Sequence, residues 1–348
     1  MKFKNIFLIL ALSLAFTACN NSKDMANNDK KVTSDENATN ANEKEEKSTI
    51  YASFYPIYNL TKQIAGDKFE VKSFTNLKTE SHDWEPSAKD MAEVSKAKLM
   101  FINGAGMEEW EDSLKNSSDI ELVNTSKDID LIKASEEDHH DHDEDNDHED
   151  ADHDHDEDHD HEDANEDEHH HHHGEYDPHL WLSPKNAISQ AKVIAEKLSE
   201  IDPSNKDYYM DNFKKIEDEL EAIIAEYKEK FDECENKNFL VNHKAFSYLA
   251  KDFSLNQIAL TSLTSTEETD AKTLKDASLK AKELNIKTIF YEMGSSDKNA
   301  KTLADEIGAD TKPLNTLELA TDENIKNDTT YQELVRENLE AVYQSLEK

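Results

Sequence analysis

The chain has 348 residues and a formal net charge of −39, from 78 Asp and Glu against 39 Lys and Arg. Two domains of ordinary size fit that length. The charge excludes nucleic acid and bare anionic lipid as partners, since both repel such a protein.

Lys2 and Lys4 precede an eleven-residue apolar run, 6–16, which is too short to cross a bilayer. Residues 1–18 therefore read as a signal peptide. Thr17-Ala18-Cys19 resembles a bacterial lipobox, with Phe16 where Leu is usual. The resemblance implies a diacylglyceryl group on Cys19, and two acyl chains suffice for a stable membrane anchor. The other cysteine, Cys234, then has no disulfide partner and reads as structural. Residues 19–48 hold mostly Asn, Lys, Glu, Asp and Ala with no aromatics, and read as a lipid-anchored, disordered tether. No second apolar stretch approaches 18 residues, so any transport pore belongs to another chain.

A first α/β lobe is expected over 49–184. Its strands are predicted at 49–54, 69–75, 98–102 and 120–123. Helices are predicted at 56–65, ended by Gly66, at 87–97, opened by Pro86, and directly after Gly106 through Leu114. Such alternation indicates a parallel sheet covered on both faces.

The stretch 136–175 interrupts this lobe with 22 carboxylates and no Lys or Arg. It holds thirteen of the sixteen histidines: His139, His140, His142, His148, His153, His155, His159, His161, His169, His170, His171, His172 and His173. It has almost no apolar residues to offset the entropy of ordering it, so it reads as a disordered loop. His-rich tracts bind metals, and imidazole suits zinc, copper, nickel and iron. Capture there should weaken as pH falls through the histidine range.

Linking helices are expected over 185–234. Ser183-Pro184 opens one at 185–200. A second runs from 205 to about 231, with Tyr209, Phe213, Ile216, Leu220, Ile223, Ile224, Tyr227 and Phe231 mostly at steps of three and four. A helix that long reads as a spine between two lobes. The second α/β lobe, 235–348, repeats the alternation, with strands at 239–242, 256–260, 287–292 and 311–317 and helices at 245–251, 271–284, 298–307 and 331–346.

The three remaining histidines, His82, His179 and His243, fall at strand exits or Pro-marked loops. Ligands of open α/β sheets collect at the carboxyl ends of strands, so two lobes on one spine would face these residues across a cleft. Three imidazoles and a carboxylate suit a tetrahedral zinc site. Glu318 and Glu292, each at a predicted strand end, are alternatives for the carboxylate, and Asp177 could orient an imidazole. Trp84 and Trp181 could wall the site or simply pack in the core. A zinc hydrolase is disfavoured, because HExxH, G-x-S-x-G and Walker A signatures are all lacking.

Three segments carry a family resemblance: Ser81-His82-Asp83-Trp84-Glu85-Pro86-Ser87, Asp177-Pro178-His179-Leu180-Trp181-Leu182-Ser183-Pro184 and Asn242-His243-Lys244-Ala245-Phe246-Ser247-Tyr248. They resemble the zinc-binding solute-binding lipoproteins of bacterial ABC importers (the ZnuA type), over nearly the whole chain from Thr49. The resemblance implies two α/β lobes with mainly parallel sheets, joined by one long helix, with a metal cleft between them. It implies zinc as transported ligand, with His82, His179 and His243 as ligands. Leu314-Asn315-Thr316-Leu317-Glu318 resembles the segment supplying a fourth, acidic ligand, a place that water takes in some members. Manganese-binding relatives tend to carry a carboxylate where His243 stands. Residues 76–80 lack the glycine common before the first ligand. Implied partners are an ABC permease and its ATPase subunit on separate chains. The protein is expected to be an extracytoplasmic monomer and not an enzyme. The loop would serve as accessory collector or sensor; the alternatives are a manganese or other divalent-metal-binding protein of the same family, or a surface adhesin or zinc sponge.

Overall fold

The computed structural model describes residues 47–78, 81–82, 84–134, 175–261 and 271–347. The signal peptide, Cys19, almost all of the tether and the thirteen tract histidines lie outside the described residues. The first half runs β1 (Thr49–Ala52), α1 (Tyr55–Ala65), β2 (Glu70–Ser73), α2 (Ala88–Val94), β3 (Leu99–Ile102), α3 (Glu111–Ser117) and β4 (Glu121–Asn124). Then come α4 (Pro184–Ile201) and α5 (Lys206–Glu233). The second half runs β5 (Asn238–His243), α6 (Ser247–Phe253), β6 (Asn256–Thr261), α7 (Ala271–Glu283), β7 (Thr288–Glu292), α8 (Lys298–Ile307), β8 (Asp310–Leu314), α9 (Asp322–Asn327) and α10 (Tyr331–Leu346). Among the described residues no helix is long and apolar enough to cross a membrane.

All strand pairs are parallel, in the orders β2-β1-β3-β4 and β6-β5-β7-β8. Each half thus places its first strand beside its second and third, the doubly wound pattern expected from strand–helix alternation. Side chains alternate between the faces of a strand, and here the two faces serve different cores. Ile50, Ala52, Leu99 and Phe101 of the first sheet and Phe239, Val241 and Phe290 of the second enter one shared core. Tyr51, Met100 and Ile102 face a separate cluster with Phe74, Trp110 and Leu114. Leu240 and Ile289 face another with Ala281, Ala300 and Leu303. The described residues accordingly form one compact unit.

Helix α5 sits in that shared core. Its 28 residues span about 42 Å at 1.5 Å per residue. Its buried stripe is Tyr209, Phe213, Ile216, Leu220, Ile223, Tyr227 and Phe231, as its periodicity predicts except that Ile224 is only partly buried at the core's edge. It packs against α1, α4, α6 and α10.

Several boundaries differ from the sequence expectation. Helix α3 begins at Glu111 rather than directly after Gly106, because the positive φ values of Gly104, Ala105 and Gly106 build a separate turn ahead of it. The Glu108 carboxylate closes this turn, accepting from the N–H groups of Asn103 (2.7 Å) and Gly104 (2.9 Å). A Cβ on Gly104 would meet Asn124 Oδ1 at 2.2 Å. Strand β8 stops at Leu314 instead of 317: the Asn315 N–H turns to the Asn338 side chain, the Asn315 side chain accepts from Leu317 N–H, and Leu317 has φ 62. Helix α9, which was not expected, is one short piece held by a Thr321–Asn324 capping box.

Leu220 is fully buried midway along α5. Leu220→Ala should cost about 2–5 kcal/mol of unfolding free energy, measured by denaturant titration. A loss within error of zero would show that α5 is not packed as described.

Candidate metal centre

Local sequence places each candidate ligand. His82 lies in the loop between β2 and α2, and a Ser87–Asp90 capping box fixes where that loop ends. His179 follows Pro178 and leads a 3-10 turn, Leu180–Leu182; Ser183 then caps α4, its hydroxyl accepting from Asn186 N–H at 3.0 Å. His243 is the last residue of β5, level with Thr261 of β6. Glu318 lies beyond the end of β8, in the turn that Asn315 and Leu317 begin.

These positions converge. His82, His179 and His243 each offer a ring nitrogen, and the three atoms lie within 4.8 Å of one another. Nε2 of His82 and Nε2 of His179 are 2.9 Å apart. Tetrahedral zinc with nitrogens at 2.0–2.1 Å needs ligand atoms about 3.3 Å apart, so small rotations of the rings would suit the ion. Glu318 is fully buried; its Oε1 lies 3.8 Å from His82 Nε2, while its Oε2 accepts from Ser81 N–H at 3.2 Å.

The opposite sides of two rings are occupied by carboxylates. Asp177 Oδ1 lies 2.8 Å from Nδ1 of His179 and also accepts its backbone N–H at 3.0 Å. Glu292 Oε2 lies 3.5 Å from Nδ1 of His243, while Glu292 Oε1 accepts from the Thr316 hydroxyl at 2.9 Å. A carboxylate on Nδ1 leaves Nε2 as the lone pair for a metal. Glu292 thus stands at Nδ1 of His243, and its charge also reaches His179.

Burial drives the electrostatics. His82 is held well below the ordinary histidine pKa, first by desolvation and then by His179 and His243. His179 is lowered by desolvation too, although Asp177 opposes the shift. Burial alone would raise Glu292, but its close contact with His243 and the hydrogen bond from Thr316 keep it below its usual value. The lowered His82 and His179 and the lowered Glu292 favour neutral imidazole and anionic carboxylate at those three groups, the protonation state a divalent cation requires.

Trp181 is fully buried, its ring 5.2 Å from that of His179 and its Nε1 donating to Thr316 O at 2.7 Å. Trp84 instead packs on Phe74, 5.0 Å away, in the outer cluster of the first sheet. Ser81, which donates to Glu318, was not singled out from the sequence, nor was the pairing of Glu292 with His243. That pairing follows from β5 and β7 being neighbours, and strand order is not written in hydrophobic periodicity.

A family model described as zinc-uptake complex component A, periplasmic (ZnuA), matches residues 50–345. The chain is 36% identical to the high-affinity zinc uptake system protein ZnuA of Bacillus subtilis, over 99% of this chain and 98% of that protein. Among solved structures, the Zn(II)-bound ZnuA-like domain of Streptococcus pneumoniae AdcA superposes with a TM-score of 0.68 at 29% identity, covering 87% of this chain and all of that one. The laminin-binding protein Lmb of Streptococcus agalactiae, described as bifunctional with adhesin and metal transporting activity, superposes with a TM-score of 0.70 at 31% identity, covering 86% and 99%.

The lowered histidines fix the sign of a pH effect. An unfolded histidine takes up its proton near pH 6.5, whereas folded His82 and His179 do so at lower pH. Below about 6.5 the unfolded chain binds more protons, so their contribution to stability is full above that pH and is lost as pH falls. The melting temperature of metal-free protein should drop on acidification through about pH 6.5, with a shallower slope in His82→Gln. Equal slopes would contradict the burial of a neutral His82.

Proposed function

The chain belongs to the ZnuA family of zinc-uptake components, a family of metal-binding transport proteins rather than of enzymes, and we propose that it captures zinc between its two sheets and hands it to an ABC permease. His82, His179 and His243 supply three nitrogens and Glu318 an oxygen. Asp177 and Glu292 hold the tautomers of His179 and His243. The observation that carries this reading is the approach of three ring nitrogens to within 4.8 Å of one another, from three separate segments.

Zinc is favoured over manganese, calcium or magnesium because imidazole nitrogen dominates the donor set, whereas those ions prefer oxygen shells. Glu318 rather than Glu292 is the fourth ligand in this reading. Its Oε1 lies 3.8 Å from Nε2 of His82, the nitrogen that faces His179, while Glu292 is engaged by Nδ1 of His243 and the Thr316 hydroxyl. Removing one charge from water is costly unless it is compensated, and a divalent ion compensates a buried Glu318.

The protein would act outside the cytoplasm as a monomer, held to the membrane by a lipid on Cys19, with the permease and its ATPase on other chains. The tract histidines would collect zinc near the cleft or report its supply. Their sites would be individually weak, since each must order a segment with no core of its own.

Zinc titration of the soluble chain with residues 137–173 deleted should find one tight site. His82→Ala should abolish it, and Glu318→Gln should weaken it by about 10-fold or more. Absence of a tight site without the tract would overturn the reading and move zinc binding to the tract.

A further inference from the structure

The segment that carries His179 is held from both sides. From the first half, the Asn103 side-chain amide donates to Pro178 O at 3.0 Å, and Phe54 packs edge-on against Trp181 with centroids 4.8 Å apart. From the second half, Tyr331 donates to Trp181 O at 2.5 Å, and the Ser183 hydroxyl donates to Asp252 at 2.5 Å. One further contact falls on Asp177 itself. The hydroxyl of Tyr248, on α6, donates to Asp177 O at 2.8 Å and accepts from Ile132 N–H at 3.0 Å. Asp177 N–H in turn donates to Ile132 O at 2.8 Å, and Lys133 pairs antiparallel with Tyr176.

Tyr248 is 2% exposed, and its hydroxyl uses one donor and one acceptor, both on main chain of the first half. Burial keeps its proton in place well past the usual tyrosine range, so it remains a donor. It stands on the helix that follows β5, whose last residue is His243. One phenol thus ties the segment of one candidate ligand to the residue that orients another.

Resting on the zinc-capture reading, we propose that Tyr248 is a positioning residue of the metal centre. By fixing the Asp177 main chain from the second half, it sets where the Asp177 carboxylate stands and so how His179 presents Nε2. A ring angle set by one carboxylate is only as well defined as the backbone carrying that carboxylate. Outer groups that orient metal-bound histidines act on affinity through this geometry. A hydroxyl that merely filled its site would instead act on stability alone.

The test uses the soluble chain lacking only residues 1–19, with one equivalent of zinc competed against a chromogenic chelator so that the tightest site is read. Tyr248→Phe keeps the ring and removes the two hydrogen bonds. It should weaken zinc by about 3–10-fold, and Asp177→Asn by about 10–100-fold. If Tyr248 acts through Asp177, the double variant should bind about as weakly as Asp177→Asn alone. Cobalt(II) in the same site should show visible bands shifted in Tyr248→Phe. Multiplicative losses in the double variant would overturn the proposal. So would a Tyr248→Phe protein with a lowered melting temperature but unchanged zinc affinity and cobalt bands. A parent chain with no tight zinc would overturn the capture reading itself, and the role of Tyr248 with it.

Discussion

Imidazoles from three segments can share one small buried volume only if each stays neutral and each is turned the right way. Desolvation supplies the first condition, holding His82 and His179 below their ordinary pKa. Paired carboxylates supply the second, with Asp177 at Nδ1 of His179 and Glu292 at Nδ1 of His243. Much of the surrounding polar structure serves those carboxylates. Thr316 donates to Glu292, and Tyr248 and Ile132 hold the Asp177 main chain. The fully buried Glu318 is steadied by the Ser81 N–H.

That arrangement needs two sheets that do not drift apart. Each sheet commits one face to a shared core, and α5 lies along it from end to end. Each fully buried Leu or Phe in that core contributes roughly 1.5–3 kcal/mol, so separating the halves would expose many such side chains. Large opening is therefore costly, and small shifts of loops are cheap by comparison. Two such loops meet beside the site. Ala320 N–H donates to Leu77 O at 2.8 Å, and Lys78 pairs with Asp322. Leu77 and Leu317, one in each loop, both have positive φ, a conformation that a bulky side chain adopts only where surroundings impose it.

Much of this was legible in the residues. Alternating strands and helices yielded both sheets, and the stripe from Tyr209 to Phe231 yielded the spine, because periodicity reports directly on which face is buried. The three histidines stood out because each sits where a strand or a proline-marked turn ends. What stayed hidden depends on contacts between remote segments. The end of β8 at Leu314 is set by an amide on α10, and the partner of His243 is set by which strands are neighbours. Gly104-Ala105-Gly106 reads as a hinge directly into a helix, whereas Glu108 folds back onto the Asn103 and Gly104 amides and closes a separate turn first.

The antiparallel pairing of Lys133 with Tyr176 brings the two ends of the tract side by side, with Ala134 N–H donating to Glu175 O at 3.0 Å. A chain that leaves and re-enters a fold at one point is nearly decoupled from it in length. Closing a longer loop there costs only about 0.6 kcal/mol per doubling. Histidines and acids can accumulate or be lost at this junction over evolutionary time with little thermodynamic consequence for the cleft. The same junction is a natural port for engineering, where a reporter domain with adjacent termini could replace the tract and sit within a few residues of the Asp177–His179 pair.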